Sequence, residues 1–320
     1  MTTSTTRTSR PRIAVVGGGQ NCEHAVSLAS AAAVADALDP TAYDVVRLTI
    51  APDGTWLMGE RELGLGEAVT VLQSCAAVLP VVHGPRGEDG SLAALCELAG
   101  VPYVGSGVGA GALAMDKWAT KLLAGALGIA TAPGRLLTAA TASTYAWTHP
   151  VVVKPVAAGS SHGVTLVGEA AELPDALAAA LALDDRILVE DVVVGREIDV
   201  AVLGTADGAR VVSPALEIVV DGWFDYDAKY GGGADFRVPA VMDDVDRKGL
   251  EGAALAVYDA LGCAGVARVD FFVTDDGPVL NEVNTMPGFT EQSQVPKMFA
   301  AAGVSYADLL DRLVRDVLVA

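Results

Sequence analysis

Asp270, Glu282 and Asn284 are the residues whose types and spacing suggest chemistry most directly. They lie in "ARVDFFVTDDGPVLNEVN", where two largely apolar runs flank "TDDG". That pattern reads as a β-hairpin. Side chains alternate between faces along a strand, so Glu282 and Asn284 share a face while Asp270 stands on the other arm. Two carboxylates and an amide oxygen are the hard donors that Mg²⁺ takes, with phosphate oxygens completing the octahedron. Arg268 shares a face with Asp270 and adds a cation to the same cleft. The competing reading is a solvated sheet face with internal ion pairs. The apolar flanks weigh against it, because they would partly bury acids that are costly to desolvate unpaired.

Four other stretches could carry chemistry. "VKPVAAGSSHGV" joins a strand lysine, Lys154, to a glycine/serine loop holding Ser160 and Ser161. Backbone N–H groups and hydroxyls of such a loop can close over phosphates. The Walker pattern GxxxxGK[ST] is missing, and an ordinary hairpin is the alternative. "GGGQNCEH" follows a strand and precedes a helix, so it could bind an anion at the helix N-terminus or be a tight turn with Glu23 facing the helix dipole. It is not GxGxxG. "DYDAKYGGGADF" places Lys229 and Tyr230 before three glycines, as either a mobile lid or a surface loop. His83 ends an apolar strand, where open α/β sheets bind ligands, although a lone histidine is more often structural.

These groups need elements to position them. "RIAVVGGG", "YDVVRLTI" and "CAAVLPVVHG" read as strands and "VPYVGS" as a short fourth. "EHAVSLASAAAVADAL" and "SLAALCELAG" between them have helical spacing. Alternating strands and helices predict a parallel sheet with right-handed crossovers. The expected organisation is a disordered tail over 1–11, a parallel α/β unit over 12–105, a small α+β unit over 106–192 and a third unit over 193–320. A chain of 320 residues is too long for one simple core.

Composition excludes some functions. With 21 basic and 40 acidic residues the formal net charge is −19. A nucleic-acid or acidic-membrane binder would need a basic face, so neither partner is expected. No apolar run is long enough to span a bilayer. Cys22, Cys75, Cys96 and Cys263 form no CxxC pair and read as free thiols of a reducing cytosol. The polar opening "MTTSTTRTSRPR" lacks the apolar core of a secretory signal.

Taken in order, "GGGQNCEHAVS", "HGPRGEDG", "PYVGSG", "AMDK", "VVVKP…GSSHGV", "VEDVVVGREI", "FDYDAKY", "RVDFFV" and "NEVNTMPGFTEQS" resemble the D-alanine–D-alanine ligase family of ATP-grasp enzymes. The match runs from about Arg12 to the C-terminus. It implies a three-domain ATP-grasp fold, ATP with two Mg²⁺ ions (Mn²⁺ as a possible substitute), and ligation of two amino acids through an acyl phosphate for peptidoglycan precursors. By resemblance, Lys117, Lys154, Ser160 and Ser161 would hold phosphates. Glu190, Val193 and Glu197 would contact the nucleoside, and Asp270, Glu282 and Asn284 the metal. Arg268 and the Gly288 N–H would stabilise the phosphoryl group and the oxyanion. Glu23 would anchor the first amino acid's ammonium, with His83 at the same subsite. Glu23, Ser160 and Tyr230 would form a hydrogen-bonded triad tying down the lid. Lys229 and Ser293 would take the second amino acid's carboxylate. The family is often homodimeric through its N-terminal domain, so a homodimer is expected.

Among the departures from the family pattern, the one at Gln294 bears on substrate. Val156, Ala157 and Ala158 stand where the family usually has charges before the GSS loop. Gln294 follows the site serine, where leucine or methionine is usual in D-alanine–D-alanine ligases. A polar group beside the second subsite can select a polar side chain. A paralogous ligase with another acceptor, such as D-serine or an amino acid of a specialised metabolite, is therefore the alternative. A non-catalytic nucleotide-binding protein and a periplasmic-type binding module are weaker alternatives, given the intact acids and the absence of an export signal.

Overall fold

A computed structural model describes residues 10–219 and 235–319. Most of the expected tail, residues 1–9, lies outside them, as do Lys229, Tyr230 and glycines 231–233. The described residues form three sheets.

The first sheet holds β1 (Arg12–Gly18), β2 (Asp44–Ile50), β3 (Trp56–Met58), β4 (Arg61–Leu63) and β5 (Ala77–Pro80), in the order β4-β3-β2-β1-β5. β1 is a continuous apolar run, as befits a strand covered on both faces, and pairs in parallel with both β2 and β5. α1 (His24–Ala37) lies so close to it that a Cβ on Gly17 would stand 2.4 Å from the Ala31 methyl. α2 (Leu65–Gln73) and α3 (Ser91–Ala99) complete this unit.

Two details differ from the sequence expectation. The antiparallel hairpin β3–β4 extends the edge and makes the sheet mixed. The expected fourth strand "VPYVGS" is only a bridge between Val78 and Tyr103. Pro102 has no N–H to extend a ladder, and Gly105, at φ +109°, turns the chain away.

α4 (Val108–Met115) and α5 (Lys117–Ala126) follow, then β6 (Ala130–Thr131). The second sheet is β7 (Gly134–Thr138), β8 (Val151–Pro155), β9 (Thr165–Val167) and β10 (Arg186–Asp191), ordered β7-β10-β8-β9 and covered by α6 (Leu173–Leu181). The third contains β11 (Arg196–Gly204), β12 (Arg210–Val212), β13 (Leu216–Val219), β14 (Asp235–Arg237), β15 (Val266–Thr274) and β16 (Gly277–Asn284). Its order is β14-β13-β11-β15-β16-β6, with β12 paired to β11.

Segment 106–131 therefore sorts by packing with the third sheet. β6 pairs with β16, and Ala110, Ala114 and Ala124 share a core with Val269, Phe271 and α7 (Asp244–Leu261). The last helices, α8 (Gln294–Ala301) and α9 (Tyr306–Val319), return to the first sheet. Phe299, Leu310 and Val314 pack there with Ile13, Val15 and Val34. Among the described residues no helix is long and apolar enough to cross a membrane.

Candidate active site

The β15–β16 hairpin sets Asp270 directly opposite Glu282 and Arg268 opposite Asn284, with a bulge after Asp270. Arg268 grips Asp270 with both arms of its guanidinium, Nε to Oδ1 at 2.6 Å and Nη2 to Oδ2 at 2.6 Å. The Asn284 amide donates to the same Oδ2 at 3.0 Å. Glu282 faces Lys117 Nζ at 3.0 Å, and that ammonium also donates to the Ala158 carbonyl at 2.9 Å. Burial works against both cations. The facing acids outweigh it, holding Arg268 well above its ordinary pKa through Asp270 and raising Lys117 through Glu282.

The donor set suits Mg²⁺: two carboxylates on directly opposed residues plus an amide oxygen. Among the described residues, no three His, Cys, Asp or Glu side chains cluster as a metal site on their own. The remaining ligands would have to be an amide oxygen and phosphate oxygens.

The first sheet supplies the facing wall. Glu23, 8% exposed, sits at the start of α1 and accepts from the Ser160 hydroxyl at 2.5 Å. The loop after β8 passes directly over it, for a Cβ on Gly159 would lie 2.1 Å from a Glu23 carboxylate oxygen. Ser160 and Ser161 have φ of +52° and +57°. Non-glycine residues there store roughly 1–3 kcal/mol each, and such strain gathers at ligand clamps. Buried His83 joins Met286 O at 2.8 Å through Nδ1 and Ser30 Oγ at 3.0 Å through Nε2. Burial alone would lower its pKa, yet Glu88, 3.8 Å away, and Glu23 outweigh it, so His83 is shifted up. Burial raises Glu88 as well.

The second sheet supplies a buried charge cluster. Lys154 on β8 and Glu190 on β10 pair at 2.6 Å, and Lys154 reaches Asn281 Oδ1 at 3.3 Å. Lys121 on α5 meets the other Glu190 oxygen at 2.6 Å. Burial would raise the Glu190 pKa, but Lys154 and Lys121 together bring it below its ordinary value.

At the fourth side, Ser293 caps α8 but turns its hydroxyl back to Thr290, accepting the backbone N–H at 3.0 Å and meeting Oγ1 at 2.9 Å. A Cβ on Gly288 would stand 3.3 Å from Ser293 Oγ. Gln294 Nε2 donates to Asp199 Oδ2 at 2.9 Å, and Asp199 stands 3.5 Å from Arg268 Nε.

One cavity of about 310 Å³ gathers most of the residues singled out from sequence. Glu23, His83 and Ser160 line one side; Lys117, Glu197, Arg268, Asp270, Glu282 and Asn284 line the floor; Gly288, Ser293 and Gln294 close the end. Lys154 and Glu190 are buried outside this lining, Ser161 lies in the loop above it, and Val193 is half-buried between β10 and β11. Lys229 and Tyr230 fall outside the described residues. Sequence reasoning missed Glu88, Asp199 and Lys121. Asp199 interrupts the apolar run "EIDVAV" just as Glu282 interrupts "VLNEVN", so the signal was available.

Comparison with known proteins finds the same family over nearly the whole chain. The model described as "D-ala D-ala ligase N-terminus" matches residues 12–106, and "D-ala D-ala ligase C-terminus" matches residues 133–315. A D-alanine–D-alanine ligase of Nocardia farcinica is 40% identical, over 97% of this chain and 98% of its own. One from Mycobacterium sp. (strain KMS) is 41% identical, over 96% of each. Among solved structures, the VanG D-Ala:D-Ser ligase of Enterococcus faecalis superposes with a TM-score of 0.82 at 34% identity, covering 96% of this chain and 99% of that one. The D-alanine–D-alanine ligase of Bacillus anthracis complexed with ATP gives 0.80 at 28% identity, covering 96% and 97%.

Proposed function

The chain belongs to the D-alanine–D-alanine ligase family of ATP-dependent, peptide-forming ligases, and on that premise we propose that it joins two D-alanines for peptidoglycan precursor synthesis. One observation carries the reading for this chain: the Glu23–Ser160 pair faces the Arg268–Asp270 and Lys117–Glu282 pairs across a single cavity.

The reaction follows from those groups. A carboxylate oxygen of the first D-alanine attacks the γ-phosphorus of ATP, and the bond to ADP breaks. The amine of the second D-alanine attacks the acyl carbon of the resulting D-alanyl phosphate. The tetrahedral adduct expels phosphate and loses the amine proton. Phosphoryl transfer asks for alignment and charge neutralisation more than covalent help. Lys117 and Lys154 supply fixed cations for the phosphates, with Ser160 and Ser161 in the loop above. Glu190, Val193 and Glu197 contact the nucleoside. Asp270, Glu282 and Asn284 would hold two Mg²⁺ ions, or Mn²⁺ in their place, which when bound neutralise phosphate charge.

Arg268 and the Gly288 N–H face the charge that develops on the transferred group and the acyl oxygen. Glu23 anchors the first ammonium beside His83, and Ser293 the second carboxylate. By the family resemblance, Lys229 would join Ser293 at the second carboxylate and Tyr230 would join Glu23 and Ser160, and a lid closed in that way would exclude water from the acyl phosphate; both residues lie outside the described ones. The small-molecule reading needs neither nucleic acid nor membrane. The cytoplasm is the proposed location because ATP is the substrate and Cys75, Cys96 and Cys263 are buried unpaired thiols. The proposed assembly is a homodimer through the first sheet's unit, which sedimentation tests directly.

Phosphate release from ATP, measured with a panel of D- and L-amino acids, tests the reaction. Strong release with D-alanine alone, yielding the homodipeptide, is expected. Release only after a second, different amino acid is added would sink the reading.

A further inference from the structure

We propose that Lys121 is a positioning residue of the nucleotide site: it fixes the Glu190 carboxylate as an acceptor and thereby sets the preference for adenine, whose N6 amine donates where guanine presents the O6 acceptor. The proposal rests on the reading of Glu190 as a base contact.

Lys121 lies one helical turn after Lys117 on α5, so the two project from the same side of the helix. They serve different sites. Lys117 reaches Glu282 in the cavity, whereas Lys121 turns to the second sheet. Its ammonium has two acceptors, the Ala132 carbonyl at 2.5 Å and Glu190 Oε1 at 2.6 Å. Its side chain is only 9% exposed. A lysine so placed is not a solvated surface charge.

Glu190 is divided between two lysines, Oε1 to Lys121 and Oε2 to Lys154. Lys154 has a competing duty, because an anionic nucleotide draws on it. Lys121 is tied to backbone between β6 and β7 and has no phosphate to serve. Glu190 is also held from beside. Gly134 pairs with it on β7, and a Cβ there would lie 2.9 Å from Glu190 Cγ.

The chemistry follows from what a carboxylate can do. Ionised, it only accepts hydrogen bonds; protonated, it also donates. Adenine presents an N6 amine donor at the edge where guanine presents the O6 acceptor. A fixed carboxylate thus favours adenine and repels guanine. Without Lys121, a carboxylate this buried has only Lys154 to offset desolvation, which favours the protonated form. A protonated Glu190 can donate to guanine O6, and discrimination falls.

The test compares wild type with K121M, K121R and E190Q. Two quantities are read: the ratio of kcat/KM for ATP over GTP, and the ratio of ADP to GDP affinity by calorimetry without amino acids. K121M is expected to lower both ratios about tenfold or more, as does E190Q, while K121R largely restores them. K121Q, neutral but still a donor, replaces K121M if the latter does not fold, with the same expected drop. If E190Q lowers the ratios and the uncharged Lys121 variants do not, the proposal is overturned while the Glu190 reading stands. A fall in melting temperature with both ratios intact marks Lys121 as a structural brace and also overturns it. If E190Q leaves the ratios unchanged, Glu190 is not a base contact, and the proposal falls with that reading.

Discussion

Gln294 stands where the family resemblance leads one to expect leucine or methionine, and its amide is committed. It donates to Asp199, which is 1% exposed and stands beside Arg268. A buried carboxylate that loses a hydrogen-bond donor costs about 1–3 kcal/mol. Gln294→Leu is therefore expected to lower stability by an amount in that range. Because Gln294 also lines the cavity end that holds Ser293, the same change should shift acceptor preference toward D-alanine. Competition between D-alanine and D-serine, read as product ratio, measures this; an unchanged ratio would make Gln294 a bystander. At this scale the sequence was most legible where polar residues break apolar strands, since alternation puts Arg268 with Asp270 and Glu282 with Asn284 on shared faces; the register that sets the two pairs opposite each other, with its bulge after Asp270, was not legible. Lys121 was not legible. A helix lysine is ordinarily solvated, and this one is buried by the long-range reach of its ammonium to the Ala132 carbonyl and Glu190.

The loop between β8 and β9 is the element that joins two sheets across the site. Its backbone crosses Glu23 with no room for a side chain at Gly159. Gly159→Ala must push the loop or Glu23 aside, and a displacement near 1 Å at a reacting site can cost about 10²-fold. We expect a rise in KM for the first D-alanine together with a fall in kcat, and little change in melting temperature, because the loop is outside the cores. Wild-type kinetics in this variant would refute the clamp. The sequence marked this loop by its glycines and serines, but its approach to Glu23 is a contact 137 residues distant along the chain. No local pattern carries such a contact. The β3–β4 edge hairpin was missed for a related reason: strands of three residues are too short for alternation to declare them.

Across the whole molecule, the ordered motifs revealed the family before any coordinates did. Packing alone shows that β6 pairs with β16, that α4 and α5 share a core with the third sheet, and that α9 closes back on the first. The cavity consequently takes its walls from all three sheets. A ligand spanning those walls binds only the folded chain. At about 100 times its Kd such a ligand adds roughly 2.7 kcal/mol to stability. Mg·ATP should thus raise the wild-type melting temperature.

Glu282→Ala separates this from general nucleotide binding. It removes a carboxylate opposite Asp270 and leaves Lys117 without its 3.0 Å partner. Turnover should be abolished and most of the Mg·ATP stabilisation lost, while the unliganded protein still melts cooperatively. Substantial residual turnover, or a full Mg·ATP shift in differential scanning calorimetry, would contradict the assignment of Glu282 as a metal ligand. The hairpin acids would then be explained by Lys117 and Arg268 alone, as a salt-bridged floor that never meets the metal.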